Sequence, residues 1–473
     1  MKYFKQNLPT QFSTSSNRIS RKAILLAFAL PMLLLKSSTT FAKTYDWVEM
    51  GKGDIRVISN PKLEVEFRLD LIESAKTSID LVTFDQRMDT QVGLPILNKL
   101  EEAAANGRRI RYAISAAMTP VTDPLNKVGR FLDRVSANFP NLEYIFAGGP
   151  GMMWKSGWGA MDGIHEKLLI IDGKIGFVTG RGHADIYMNW LDTAFVFKGP
   201  LVEQSNIAFD NLWNTLHREQ KMEVKEDIPS ALLTNPNDAQ GENSVTPVLP
   251  HFELSDAEKA ELTSLIEWRK ESASLQKDYR ARLLHHDFLD QMRAQGRKPN
   301  SISIKERLEF LSDPVVDEVN NLLKSAQSMQ YCSLASILNP GFKQCILEAL
   351  NQPDHPVQLE LFTNSKASHT YVSALHLPAG WYAGLQDLDD LLKTGNAKAF
   401  GLAEPDSKSP PNPFLWLHRK LILMAGAGKN TVIFGSHNLT YASSAVLDEM
   451  IYEIEGSDFY QTMQKLFAES LAS

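Results

Sequence analysis

Two stretches decide how this chain folds: His165-Glu166-Lys167-Leu168-Leu169-Ile170-Ile171-Asp172-Gly173 and His418-Arg419-Lys420-Leu421-Ile422-Leu423-Met424. The first runs on to Phe177-Val178-Thr179-Gly180, the second to Val432-Ile433-Phe434-Gly435-Ser436-His437-Asn438. Each reads as an apolar strand, a turn and a second apolar strand closed by glycine. A lone His-x-Lys means little in a chain with 11 histidines. Two copies on matching strand–turn–strand units point to an internal duplication. Residues i and i+2 of a strand share a face, so each His and Lys project together, while Leu168, Ile170, Leu421 and Leu423 fill the sheet packing.

Around these stretches, helix and strand patterns alternate. Pro61–Thr77 reads as a helix, Ser78–Phe84 as a strand, Leu94–Asn106 as an amphipathic helix ended by Gly107, and Arg109–Ser115 as a strand. The order recurs later: helix over Asp313–Ala326, strand over Gln330–Ser333, helix over Pro340–Leu350, strand over Val357–Phe362. Sheets with crossover helices have this spacing, so the expected class is α/β, in two similar halves. Residues 226–300 interrupt it. Asn235–Pro250 is a loop rich in Asn, Pro, Gly and acid, and Ser255-Asp-Ala-Glu258 is a capping box that opens helical periodicity to about Gln295. His285 and His286 fall in that helical reading, as surface residues. The expected division is 1–42 leader, 43–225 first half, 226–300 helical linker and 301–473 second half.

The leader carries Lys2, Lys5, Arg18, Arg21 and Lys22, then the apolar run Ala23–Leu35 and a small-residue stretch ending Thr40-Phe-Ala42. That is the pattern of a secretory signal with cleavage after Ala42, giving an exported, periplasmic or secreted protein. A retained N-terminal anchor is the alternative; the run is short for a bilayer span. The 473-residue chain has 49 Lys+Arg against 56 Asp+Glu, or −7. Removing the leader's six cations leaves 43 against 56, or −13. Such a balance argues against a polyanion partner and requires any phosphate site to be built from a few placed cations. Cys332 and Cys345 are too few for a structural zinc site and form either one disulfide or two ordinary thiols.

Two imidazoles and two ammonium groups brought to one point suit a phosphodiester. One histidine attacks phosphorus and the other protonates the departing alcohol. Lys167 and Lys420, with Ser436 and Asn438 as donors, stabilise the charge that develops on the non-bridging oxygens. This chemistry needs no metal or cofactor. Gly426-Ala-Gly-Lys-Asn-Thr431 lacks a full phosphate-loop pattern and reads as a turn between strands. The apolar segments Gly148–Asp162 and Phe414–Leu417, just before the two motifs, suit an acyl chain or membrane interface, or else ordinary core packing. His369 and His376 follow Thr363-Asn-Ser365; His376 reads as a structural imidazole, with an approach to the pocket as the alternative.

The two motifs resemble those of the phospholipase D superfamily, which carries paired His-x-Lys-x4-Asp sequences followed by Gly-Ser-x-Asn; the resemblance covers roughly 50–225 and 301–470. Trp190-Leu-Asp192, Gly199-Pro200, Phe209–Trp213, Thr363-Asn-Ser365 through His376, and Asn438-Leu439 through Glu449-Met450 are similar to the cardiolipin synthase-like branch. The resemblance implies two phospholipase D-like α/β lobes with pseudo-twofold symmetry and an active site at their interface. It implies His165 as nucleophile and His418 as general acid and later base. It further implies that Asp192 and Glu449 orient the imidazoles, with Asp172 as a further supporting carboxylate. The implied substrate is a phospholipid at a membrane surface, with water or an alcohol as acceptor and a monomeric enzyme. A nuclease and a non-catalytic binding relative remain as alternatives. Two departures stand out. Thr179-Gly180-Arg181-Gly182 lacks the Asn, a gap that Arg181 is a candidate to fill, and Ala425 stands at the Asp of the second motif, whose loss is expected to weaken local structure.

Overall fold

The computed structural model describes residues 43–115, 123, 126–147, 163–223, 252–294, 304–332, 338–363, 386–401 and 416–472. The leader, the apolar segment 148–162, the loop 235–250, Phe414, Leu415, His369 and His376 lie outside them. The first half supplies β1 (Ile55–Ile58), β2 (Ser78–Thr83), β3 (Arg109–Ser115), β4 (Leu142–Ala147), β5 (Leu168–Ile171), β6 (Ile175–Thr179) and β7 (Ala194–Lys198). These form a seven-stranded sheet ordered β1-β7-β6-β5-β2-β3-β4. The second supplies β8 (Tyr279–His286), β9 (Ser328–Cys332), β10 (Gln358–Thr363), β11 (Ala397–Gly401), β12 (Leu421–Gly426), β13 (Lys429–Gly435) and β14 (Leu447–Glu455). Its main order is β8-β14-β13-β12-β9-β10-β11, the same sequence of positions, and three short strands bring it to ten: Lys43–Thr44 and Val48–Met50 pair with β8, and Gly163–Ile164 with β14. Directions repeat as well: β2–β3–β4 and β9–β10–β11 are parallel, and the other neighbours within the two orders are antiparallel.

Helices cross between the parallel strands, and three of them start the same way. Asn60-Pro61, Asp313-Pro314 and Asn339-Pro340 each place a side-chain oxygen on two backbone N–H groups at the helix start, with proline at the first helical position. The strands then sort their residues by period two. Leu168 and Ile170 of β5 face a central core, whereas Leu169 and Ile171 face the outer helices; Leu421 and Leu423 of β12 alternate with Ile422 and Met424 in the same manner. The central core joins the two sheets. Phe195 of β7 stacks on Phe434 of β13 with ring centroids 3.6 Å apart, and Phe197 lies 5.0 Å from Tyr452 of β14.

The linker reading needs correction. The capping box is present, with Glu258 N–H on Ser255 Oγ at 3.3 Å and Ser255 N–H on Glu258 Oε2 at 2.7 Å. Its helix, however, ends at Lys270, and the chain returns as β8, paired along its length with β14. Tyr279-Arg-Ala-Arg-Leu alternates buried and solvent-side residues, a period-two pattern too short to separate from an amphipathic helix by inspection. Arg280 and Arg282 pack over Trp47 at 4.7 and 4.4 Å. His285 and His286, expected on a helix surface, are fully buried strand residues.

The turns that follow the two motifs also differ. Between β5 and β6 the left-handed positions are Asp172 and Gly173, with φ of 53° and 64°. Between β12 and β13 they are Ala427 and Gly428, with φ of 48° and 76°. The second ladder therefore runs two pairs further before it turns, Ala425 with Asn430 and Gly426 with Lys429, which preserves the face of every side chain. Ala425 lies within the ladder opposite Asn430, and its carbonyl accepts Gln327 N–H at 2.8 Å. The longer ladder secures this turn without a carboxylate. Cys332 is buried, Cys345 is half-buried, and both are free thiols.

Candidate active site

Both motif histidines lie just before their strands, each at the end of a two-residue parallel pairing with the opposite half. Gly163–Ile164 pairs with Leu447–Asp448, and the next step in register sets His165 beside Glu449. Trp190–Leu191 pairs with Trp416–Leu417, and the next step sets Asp192 beside His418. Backbone bonds lock both registers: His165 N–H donates to Asp448 O at 3.0 Å and His418 N–H to Leu191 O at 2.9 Å. The side chains follow. His165 Nδ1 is 3.1 Å from both oxygens of Glu449, and His418 Nδ1 is 2.8 Å from Asp192 Oδ2. Each imidazole is thus held by a carboxylate from the other half. A carboxylate can only accept, so both Nδ1 atoms carry hydrogen and Nε2 is the nitrogen left for chemistry. The two rings are 6.4 Å apart.

The lysines complete the group. Lys167 Nζ donates to His165 O at 2.6 Å and lies 5.1 Å from the Phe84 ring. Lys420 Nζ donates to His418 O at 2.6 Å and lies 2.7 Å from the ring nitrogens of His418. Burial dominates the electrostatics, because both imidazoles and both ammonium groups are almost wholly removed from water. It pushes His165 down to about 4 and His418 to about 3, with the neighbouring lysines adding to the effect. Burial likewise lowers Lys167 to about 8 and Lys420 to about 7. Burial alone would raise the carboxylates, but the bonded histidines and nearby cations outweigh it, and Asp192 and Glu449 are both lowered to about 2. The resting site holds neutral imidazoles beside ionised carboxylates.

These carboxylates link the site to acid stability. A carboxyl whose pKa is depressed by folding stabilises the fold above its unfolded value and loses that contribution as pH falls through the folded one. Between pH 4 and 2 the wild type should therefore lose thermal stability more steeply than an Asp192→Asn/Glu449→Gln double variant. Equal slopes in scanning calorimetry across that window would contradict the assignment.

The other expected site residues fare differently. Ser436 Oγ accepts Met450 N–H at 3.0 Å, donates to Met450 O at 3.3 Å and helps to stabilise ionised Glu449. Its hydroxyl acts on the β14 backbone and on Glu449. Asn438 is buried beside it, its carbonyl accepting Tyr331 Oη–H at 2.7 Å while its side-chain Oδ1 has no partner. Asp172 is not brought to the imidazoles. It sits at the opposite end of β5 from His165 and accepts the N–H groups of Lys76, Thr77 and Ser78, so it secures the turn. Arg181 does not replace the missing donor either. Its guanidinium reaches Glu64, Trp190 O at 2.9 Å and Asp192 O at 3.0 Å, and so holds the segment that carries Asp192. The glycines around it make room. A Cβ on Gly180 would lie 1.9 Å from Asp192 Oδ2, and one on Gly182 would lie 2.7 Å from Tyr187. Tyr187 occupies the space where an Asn side chain at position 182 would have to go.

Three residues to which the sequence reading gave no role also shape the site. Phe84 meets the His165 ring edge-on at 4.8 Å, and Trp190 packs on His418 at 4.6 Å. His437 accepts Leu439 N–H at Nδ1 (2.8 Å) and binds Asp313 through Nε2 (3.0 Å), which fixes the loop between Ser436 and Asn438. Among the described residues no group of His, Cys, Asp and Glu is arranged to hold a metal ion.

Neither a model of a known protein family nor a curated protein matches the sequence. Solved structures do. A phosphatidylserine synthase from Haemophilus influenzae Rd KW20 aligns over 90% of this chain and 87% of its own, at 11% identity and a TM-score of 0.54. A polyphosphate kinase from Porphyromonas gingivalis aligns over 89% of this chain and 50% of its own, at 10% identity and a TM-score of 0.38. Nuc from Salmonella typhimurium, a phospholipase D family member, aligns over 34% of this chain and 93% of its own, at 16% identity and a TM-score of 0.26. The chain shares the mixed α/β fold of the phosphatidylserine synthase structure across nearly its whole length.

Proposed function

We propose that this protein is a phospholipase D-superfamily enzyme that cleaves or transfers phosphatidyl groups of phospholipids through a phosphohistidine intermediate. The observation that carries the reading is the crossed pairing: two His-x-Lys groups, each imidazole bound at Nδ1 by a carboxylate of the other half. The repeated strand order supports a pseudo-twofold arrangement with the site between the halves. The fold shared with a phosphatidylserine synthase structure supports a lipid substrate, as does the acidic balance of the chain.

His165 Nε2 attacks phosphorus, the bond to the leaving alcohol breaks, and His418 Nε2–H gives that oxygen its proton. His418 then takes a proton from water or an alcohol. The oxygen so activated attacks phosphorus and the P–N bond to His165 breaks. Lys167 and Lys420 offset charge on the non-bridging oxygens. An arriving phosphodiester anion raises the proton affinity of His418 and charges it for the first step. We further propose, from the secretory pattern of residues 1–42, that this chemistry takes place outside the cytoplasm.

Product analysis tests the proposal. Purified protein with phosphatidylglycerol vesicles should yield phosphatidic acid when water is the acceptor and cardiolipin when a second phosphatidylglycerol is. Added glycerol should compete with both. Absence of any lipid product together with nicking of plasmid DNA would overturn the lipid reading in favour of the nuclease. Absence of both, with lipid still bound, would favour a non-catalytic relative.

A further inference from the structure

On the far side of the His165 segment lies a buried acidic group that the chemistry above does not use. Glu166, between the two motif residues, is fully buried, and its Oε1 is 3.0 Å from Nε2 of the equally buried His285 on β8. Register places His285 opposite Met450 and His286 opposite Glu449, so the strand bearing this imidazole runs beside the strand bearing the carboxylate of His165. Asp448 joins the two: its carbonyl takes the His165 N–H, and its Oδ1 accepts Leu289 N–H at 2.9 Å. Asp287 caps the short helix Phe288–Ala294, which contains Leu289, through Asp290 N–H at 3.0 Å. Glu166 Oε2, Asp287 Oδ2, Asp448 Oδ2 and His285 Nδ1 are all buried without a hydrogen-bond partner. The second motif has nothing equivalent. Arg419 stands in place of Glu166, and Leu191 in place of Asp448.

Buried polar atoms without partners are costly, and three carboxylates around one imidazole do not all ionise together. We propose that Glu166 and His285 are positioning residues for His165: their buried pair ties the His165–Lys167 segment to β8 and so keeps the imidazole on Glu449. His285 faces Glu166 from the motif, Asp287 just before the short helix and Lys43 from the N-terminal strand Lys43–Thr44; Asp448 of β14 and Asp290 of the short helix bear on Asp287, and Asp448, Tyr45 and Tyr452 lie near Glu166. Burial lowers the His285 pKa, but the Glu166 hydrogen bond and charge, followed by Asp287, more than offset this and raise it. Burial pushes Asp287 up to about 6 and raises Asp448 well above the usual carboxylate range. A group with a raised pKa contributes fully below its unfolded value and loses that contribution as pH rises through the folded one. The latch is therefore an ion pair on the acid side of the His285 titration and weakens to a hydrogen bond from a neutral imidazole on the alkaline side, where the unpartnered Nδ1 has lost its proton and Nε2 keeps its own.

The kinetic arm of the test rests on the proposed phosphodiester chemistry, and the spectroscopic arm does not. In the full chain, the His165 Nδ1–H proton should give a downfield NMR signal through its bond to Glu449. That signal should fade as pH rises through the His285 titration. In folded Glu166→Gln and His285→Gln it should be weak at every pH. Turnover of phosphatidylglycerol should fall about 10- to 100-fold in kcat with KM unchanged, the usual scale for residues that orient a site ligand. A strong His165 signal in both folded variants, or unchanged kcat, overturns the proposal. Should His285→Gln fail to fold, the near-isosteric Glu166→Gln and the wild-type titration decide alone. A wild type with the signal but no lipid turnover would reject the enzyme reading and leave the latch standing; a wild type that turns over lipid without the signal would reject the latch.

Discussion

Changing His165 to Ala is expected to reduce phosphatidyl cleavage by on the order of 10⁴-fold or more, because it removes the atom that forms the covalent intermediate. The fold should survive. The imidazole contributes only an edge contact with Phe84 and its bond to Glu449, while the segment remains pinned by backbone pairing to Leu447–Asp448. His418→Ala should behave differently in kind. With a substrate whose leaving group needs no proton, the first step proceeds without a general acid, but no base remains to activate water, so phosphate accumulates on His165. Phosphopeptide mapping after a short incubation distinguishes the two variants. Undiminished turnover in His165→Ala would remove the basis of the proposed function.

Asp192→Asn and Glu449→Gln should each cost about 10²- to 10⁴-fold in kcat, since a neutral amide neither holds the Nδ1–H tautomer nor stabilises the imidazolium formed during proton transfer. The crossed geometry makes a sharper demand than loss of activity. Asp192→Asn in the first half should lower the proton affinity of His418 in the second half and leave His165 nearly unmoved. Glu449→Gln should act on His165 in the reverse sense. Carbon-13 NMR titration of the two imidazoles measures this directly, and an Asp192→Asn variant that shifts His165 instead would refute the crossed arrangement. Because both carboxylates are buried, leucine replacements make poor controls; the amides preserve shape and remove only charge.

Much of this fold is legible from short-range patterns. Arg109–Ser115 and Pro340–Leu350 have the expected limits, and Asn339-Pro340 marks its helix start in plain sequence. The alternation of Leu168 to Ile171 assigns each residue to the correct core. The misreading at 279–286 has a definite cause. Five residues of alternating burial followed by three buried ones read equally well as a helix, and the pairing with β14 that settles the matter comes from residues far along the chain. Ala425 looked like a lost support, yet two further ladder pairs move the turn outward and remove the need for it.

The candidate site divides along the same line. By itself the sequence determined that two His-x-Lys groups exist, that strand geometry presents each pair on one face, and that a carboxylate follows each motif. Only the tertiary structure decided that Glu449 serves His165 and Asp192 serves His418, that Asp172 serves a turn, that Arg181 holds the Asp192 segment, and that Glu166 is buried against His285. Strand periodicity and helix caps depend on neighbours within a few residues and so are written locally. The choice between two histidines for a given carboxylate depends on the register of two-residue parallel pairings between distant segments, which local composition does not encode.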